Sequence, residues 1–404
     1  MRRIGILQNT IQEYVWGSRT VIAELLGQPS PSAKPQAELW MGAHPKAPSM
    51  VKIDGHSELL IEVVANNPDD VLGKTVAGRF NNHLPFLFKV LAAAQPLSIQ
   101  AHPNKAQAKQ GFESEEKAGI LLDAPERNYR DANHKPECLC ALTTFWALKG
   151  FRKVKDVAAR MQTCCSKSLS AELKELERSH DSQGLKRFFE SLLTLSPDRK
   201  KKAVQEALNT VREGKVDADS CRWMQKLHQY YPDDIGVLAP LFLNMVCLEP
   251  GQAMFLSAGQ LHSYLEGAGI ELMANSDNVL RGGLTPKHVD VPELMSVLDF
   301  RARPVSILAP VKKNEYEVVY ESSAGEFVLS VICTPRDGIY QSRGKRSVEI
   351  LLCTEGQGKL TDIDSGYLID VRKGMSLLVP AAVSQYSIEG KVTIYKASVP
   401  LSEM

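Results

Sequence analysis

The sequence predicts a mainly β protein that carries one α-helical insertion. Three observations support that fold class. Short apolar runs cut by glycine and proline dominate up to about residue 150 and return after Pro250. Between them, from Val154 to about Met245, apolar residues recur at helical spacing. A 17-residue segment that opens the second β region, Gly251–Gly267, also recurs as Gly374–Gly390.

The elements follow in chain order. The run LPFLFKVLAAAQPLSIQAHP, residues 84–103, is broken by Pro85, Pro96 and Pro103 and reads as strands. The charged stretch Asn104 to Leu122 reads as a helix between strands, and ECLCALTTFWALKGF, from Glu137, as further strand. In the helical block, Leu185, Phe188, Phe189, Leu192 and Leu193 share one face. Ser196-Pro197-Asp198 starts another helix: serine can cap, proline suits the first turn, and aspartate complements the dipole. Its buried stripe is Ala203, Val204, Ala207, Leu208 and Val211, and the basic run Arg199 to Lys202 is its solvated face. After Pro250, glycine turns separate short strands, apart from a helix at about Val291 to Leu298. The helical block therefore interrupts one β domain, and a second β domain follows.

The repeat pairs GQAMFLSAGQLHSYLEG with GMSLLVPAAVSQYSIEG without gaps. Each reads as strand, turn, strand. His262 of the first copy falls opposite Gln385, and Tyr264 opposite Ser387. A ligand at His262 would be lost in the second copy, so one β domain is expected to be functional and the other structural.

Composition excludes several classes of function. The 48 Lys+Arg against 47 Asp+Glu leave no basic excess for a polyanion such as nucleic acid, or for an anionic membrane surface. No segment approaches the ~20 apolar residues of a membrane span. The start, MRRIGILQNTIQEY, has no apolar core of a secretory signal. None of the eight cysteines forms a CxxC pair, so reduced thiols in a cytoplasmic protein are expected.

Four segments carry chemistry. In Ser98-Ile-Gln100-Ala-His102, strand alternation puts Ser98, Gln100 and His102 on one face. In Asn133-His134-Lys135-Pro-Glu137, a carboxylate sits at the mouth of an apolar strand, where burial is costly without a cation. Gly259-Gln-Leu-His262-Ser-Tyr264 supplies a second histidine. Together Gln100, His102, Glu137 and His262 form an N/O donor set suited to zinc, with room for a water or substrate oxygen. The fourth segment, Glu271 to His288, gathers Glu271, Asp277, Arg281 and Lys287 around a glycine pair, a mixture suited to phosphate and sugar hydroxyls.

These segments resemble the type I phosphomannose isomerases. YVWGS, AELWMGAHP, LPFLFKVL, PLSIQAHPNK, NHKPE, GQLHSYLEG and NSDNVLRGGLTPKH are similar to that family's motifs, in its order. The resemblance runs from about Ile11 to the end and is strongest before residue 150 and between 247 and 290. It implies two cupin-type jelly-roll barrels: a catalytic one from 1–152 and 246–312, a helical domain at 153–245, and a C-terminal cupin-like domain at 313–404 without a metal site. It implies one zinc per chain, held by Gln100, His102, Glu137 and His262. The implied reaction is interconversion of D-mannose 6-phosphate and D-fructose 6-phosphate by proton transfer through a cis-enediol, in mannose metabolism and GDP-mannose precursor supply. Arg281 takes the family's catalytic position. The general base is left open among Glu271, Asp277, His134 and Lys135. Ser98, Lys89 and Lys287 are expected phosphate contacts, and Trp16 and Tyr264 pocket walls. A monomer that binds a small sugar phosphate, with no nucleic acid or membrane partner, is expected. Two other readings are weighed: a metal-dependent cupin dioxygenase, which would want more histidines, and a non-catalytic sugar-binding cupin, which would not need so many charged groups.

Overall fold

The computed structural model describes residues 2–53 and 55–401. Two antiparallel sheets and a helical block make up the fold. The ten-stranded sheet takes its strands from Thr10–Gln12 to Leu280–Gly283, and its longest member, His262–Ala274, pairs with Phe86–Ala93, Glu137–Ala141 and Phe145–Phe151. Phe86–Ala93 is buried at every position, as a strand covered on both faces should be. The twelve-stranded sheet uses the strands from Val311 onward, centred on Glu349–Asp362.

Helices fill Val154–Cys165 to Ala239–Phe242. The strands on either side of them, Phe145–Phe151 and Leu243–Leu248, are antiparallel neighbours, with Phe151 opposite Leu243 and Phe145 opposite Leu248. The chain thus leaves and re-enters the sheet at one place. The predicted stripe of Leu185, Phe188, Phe189, Leu192 and Leu193 is buried, and so is that of Ala203, Val204, Ala207, Leu208 and Val211. Both belong to one core that reaches Ile99, Ala101 and Leu280 of the ten-stranded sheet. Arg199 stays at the surface and chelates Glu172 through two contacts of 2.8 and 2.9 Å.

Several expectations need correction. Ser196 precedes the helix Pro197–Arg212, but its side chain makes no cap bond. The helix after Asn104 is Lys105–Lys117, shorter than read, because Gly119 at φ 71° ends it; Asn104 and Gln107 form a capping box at its start. Four helices in the first 150 residues, Val21–Leu25, Leu60–Asn66, Pro68–Leu72 and Lys74–Arg79, are too short to show periodicity. Gly5–Gln8, Met50–Ile53 and His56–Leu59 join the twelve-stranded sheet, where Ile6 faces Leu377. Non-local pairing of this kind leaves no trace in contiguous sequence.

The repeat is structural as well. Each copy gives two strands, Ala253–Leu256 with the start of His262–Ala274, and Ser376–Val379 with Tyr386–Glu389. Gly267 and Gly390 both adopt positive φ, 130° and 100°. A Cβ there would meet Thr144 O at 2.7 Å and Gln357 O at 2.9 Å, so neither position admits a side chain. One detail differs. Tyr386, one position before Ser387, is the residue that donates to the second sheet's glutamate as Tyr264 does to Glu137.

All eight cysteines are free thiols; five are buried, while Cys221 and Cys247 are half-buried and Cys333 is exposed. Burial and the neighbouring Cys140 push the Cys138 thiol well up. Among the described residues, no helix is long and apolar enough to cross a membrane.

Candidate metal centre and anion-binding face

Two strand starts and one strand end converge on the site. Glu137 opens Glu137–Ala141, His262 opens His262–Ala274, and His102 follows Ile99–Ala101. Ile99 and Ala101 point into the core under the helical block, which turns the other face of that short strand toward the site. His102, Glu137 and His262 are each about 1% exposed, and their ligand atoms lie within 4.8 Å of one another. Gln100 is half-buried, and its backbone is paired with both His262 and Arg281.

The tautomers are fixed from outside. His102 Nδ1 donates to Asn278 O at 2.7 Å, and His262 Nδ1 to Gln260 O at 2.8 Å, since a carbonyl can only accept. Burial, reinforced by the Lys135 ammonium, pushes the His102 imidazole down to about 4, so the ring is neutral near pH 7 and its Nε2 is a bare lone pair. That nitrogen is 3.2 Å from Glu137 Oε1, and His262 Nε2 is 3.5 Å from Glu137 Oε2. Both Nε2 atoms are buried with no hydrogen-bond partner. Burial alone would raise the Glu137 carboxyl, but Lys135 at 3.0 Å and the two imidazoles hold it well below the usual range. His102 therefore turns a lone pair on a carboxylate with no proton between them. A cation resolves that contact, and two imidazoles with a carboxylate, each braced by an outer hydrogen bond, suit zinc.

The other expected residues divide into groups. Arg281 is half-buried; burial and then Arg130 lower its pKa, and Lys287 is lowered by burial, Arg281 and Arg130. Among the described residues none of these three cations has a carboxylate partner within ion-pair distance, so they form a cationic face. Arg130 belongs to it and escaped the sequence reading. Lys89 does not join this face. It is 5% exposed and held between Glu271 at 3.0 Å and Glu38 at 3.4 Å, over the ring of Trp40. Burial alone would lower Lys89, but the two carboxylates raise it strongly; burial raises Glu271. Asp277 lies 2.8 Å from Lys46 Nζ and 3.5 Å from His44 Nε2, which outweigh burial and hold its carboxyl far below its ordinary value. Tyr264 OH donates to Glu137 Oε2 at 3.3 Å. Trp16 is half-buried against the cluster containing Tyr264, stacked 5.7 Å from Tyr14. Ser98 is half-buried.

His134 meets a residue from the other sheet's half of the chain: its Nε2 is 2.7 Å from Glu326 Oε1. Asn278 is a hub that sequence reading passed over. Its side chain accepts from the amides of Arg130 and Asp131 and donates to Asp131 O and Asn133 O, while its own carbonyl holds His102. Only its place in the motif NSDNVLRGG could have marked it.

Fold and site define a class of β-sheet proteins with a buried His/Glu cluster that could hold a metal ion and a nearby face of unpaired cations. Residues 4–154 match the phosphomannose isomerase type I catalytic domain, and residues 161–243 match its helical insertion domain. Mannose-6-phosphate isomerase of Salmonella typhimurium is 40% identical over 392 residues, covering 95% of this chain and 96% of that protein. The Homo sapiens mannose-6-phosphate isomerase is 37% identical over 88% of each chain. The crystal structure of the Salmonella typhimurium enzyme bound to its substrate fructose 6-phosphate and zinc superposes with a TM-score of 0.90 at 38% identity, covering 98% of this chain and all of that one. The chain belongs to the type I phosphomannose isomerase family.

Proposed function

We propose that this chain interconverts D-mannose 6-phosphate and D-fructose 6-phosphate, with one zinc per chain. The observation that carries the reading is the His102 lone pair facing Glu137 with no proton to share. His102, Glu137 and His262 would hold the metal, with Gln100 as the fourth donor. Bound there, zinc would supply Lewis-acid polarisation of the sugar oxygens.

The chain's own groups account for the rest of the chemistry. Isomerisation removes a proton from C2 of the aldose, passes through a cis-enediol, and delivers a proton to C1. Arg281 is a fixed cation where the enediolate oxygen gathers charge, and Arg130 and Lys287 hold the phosphate. We assign the base to His134. Glu326 accepts a hydrogen bond from Nε2–H and leaves Nδ1 as the acceptor, the arrangement of a carboxylate-oriented general base. Asp277 is a poor base because Lys46 and His44 stabilise its ionised form. Lys89 neutralises Glu38 and Glu271 rather than a phosphate. Trp16 and Tyr264 wall the pocket, with Ser98 near its mouth.

The two sheets are read as two cupin-type jelly rolls, the catalytic one split by the helical block at 153–245 and the second spanning 313–404. The product would feed mannose metabolism and GDP-mannose supply from the cytoplasm. Incubating the zinc-loaded chain with 2-deuterated mannose 6-phosphate tests the function. Fructose 6-phosphate with deuterium partly retained at C1 is expected, and absence of ketose would sink the reading.

A further inference from the structure

The two sheets repeat their polar interiors as well as their strands. Glu137 faces Leu256 and Met273, and Glu349 faces Val379 and Ser398 in the same pattern. Two residues along, Leu139 faces Glu271, and Leu351 faces Lys396. Glu38 precedes by two the residue opposite Lys89, and Glu317 precedes by two the residue opposite Ser330. Tyr264 donates to Glu137, and Tyr386 to Glu349 at 2.8 Å. The second sheet therefore keeps counterparts of Glu137, Glu38 and Tyr264. It lacks the histidines and has Lys396 where the first sheet has Glu271.

Lys396 Nζ lies 2.5 Å from Glu317 Oε1, 3.4 Å from Tyr340 OH and 3.8 Å from Glu349 Oε1. A built-in ammonium thus sits between the counterparts of Glu38 and of the metal centre's Glu137. Beside it is a cavity of about 460 Å³, within the ~300–1,000 Å³ of small-molecule clefts. Glu317, Glu349 and Lys396 line it and are buried. Five cations line the cavity against three carboxylates. Lys313 is engaged by Glu321 at 2.6 Å, but the exposed Arg343 and Lys345 have no carboxylate within ion-pair distance among the described residues. Arg346, whose side chain is 5% exposed, lines the same cavity and has a buried Nε without a partner.

We propose that this cavity is a second, metal-free binding site for a small phosphorylated polyol. Arg343 and Lys345 hold the phosphate at the rim. Glu317 and Glu349 accept its hydroxyls, because a carboxylate offers about four acceptor positions and neither is filled by the contacts above. The Lys396 ammonium does the electrostatic work that a metal ion does in the first sheet. The inference rests on residues outside the catalytic centre and stands independently of the isomerase reading.

The test titrates zinc-loaded full-length protein with glucitol 6-phosphate, which has no carbonyl and is not turned over. Sites are counted by calorimetry and located by hydrogen exchange. Two sites per chain are expected, the second protecting 328–334 and 392–398. Arg343→Glu with Lys345→Glu should weaken that second site about tenfold or more, with kcat/KM for isomerisation unchanged. The control reverses Lys359 and Arg372, exposed cations elsewhere on this sheet, and should leave both sites intact. No binding that protects 328–334 and 392–398 up to millimolar probe overturns the proposal, whatever is found at the first site. So does a second site that the rim variant spares, or one that both charge reversals weaken equally.

Discussion

Replacing Lys89 by methionine removes the cation between Glu38 and Glu271, all three side chains being under a tenth exposed. Stranding a buried charge by deleting its partner costs about 3–5 kcal/mol. Here two carboxylates are stranded, close to a third at Glu137. The least costly response is protonation of Glu271, already raised by burial and freed of the ammonium that lowers it. In the unfolded chain that carboxyl ionises near ~4.3. A folded value raised above this means stability is kept at low pH and lost as pH climbs through ~4.3 toward the folded value. In the wild type, the raised Lys89 keeps its stabilisation at all pH below ~10.4. The difference between the proteins is therefore small near pH 5 and approaches about 3–5 kcal/mol at pH 8. Urea midpoints at the two pH values, with zinc constant, measure it. The companion Lys89→Met/Glu271→Gln protein should recover about 1–3 kcal/mol at pH 8. A cost that does not change with pH, or one below about 1 kcal/mol at pH 8, would refute the reasoning.

Other outcomes follow from the same geometry. Arg281→Ala should lose about 10²–10³ in kcat while keeping zinc, measured by coupled assay and metal analysis; near-normal turnover would remove the arginine from the reaction. Asn278→Ala strips five hydrogen bonds from the segment that leads into His134 and Lys135, and should lower stability by about 1–3 kcal/mol and weaken zinc binding, read by melting and by competition with a chelator. In zinc-free protein, His102 has a folded value of about 4 against ~6.5 unfolded. Its contribution is complete above ~6.5 and is lost as pH falls toward 4, up to about 3 kcal/mol. A His102→Gln protein should lack that part of the acid-side loss in urea titrations.

The sequence showed the helical block because five apolar residues at helical spacing are hard to form any other way. The metal set was legible because histidine and glutamate at strand ends are costly there without a cation. Short early helices were not, since a five-residue helix holds little more than one turn. Residues that act through backbone groups were also hidden. Asn278 works by holding a loop, and Glu326 by meeting a histidine 192 residues away. The surroundings of Lys89 were hidden for a related reason: a lysine in an apolar strand says that it has a partner, but not that Glu38 and Glu271 flank it. The match of Glu349 to Glu137 emerged only from strand register, because the helical block lies between Glu137 and its repeat in the first copy and nothing comparable separates them in the second.

Titrating zinc into chelator-stripped protein while measuring conversion of mannose 6-phosphate to fructose 6-phosphate tests the central claim most directly. Activity should rise linearly and level off at one zinc per chain, with no activity before zinc is added and none restored to a His102→Gln, His262→Gln protein. Full turnover by the stripped protein, or stoichiometric zinc binding without turnover, would contradict the account.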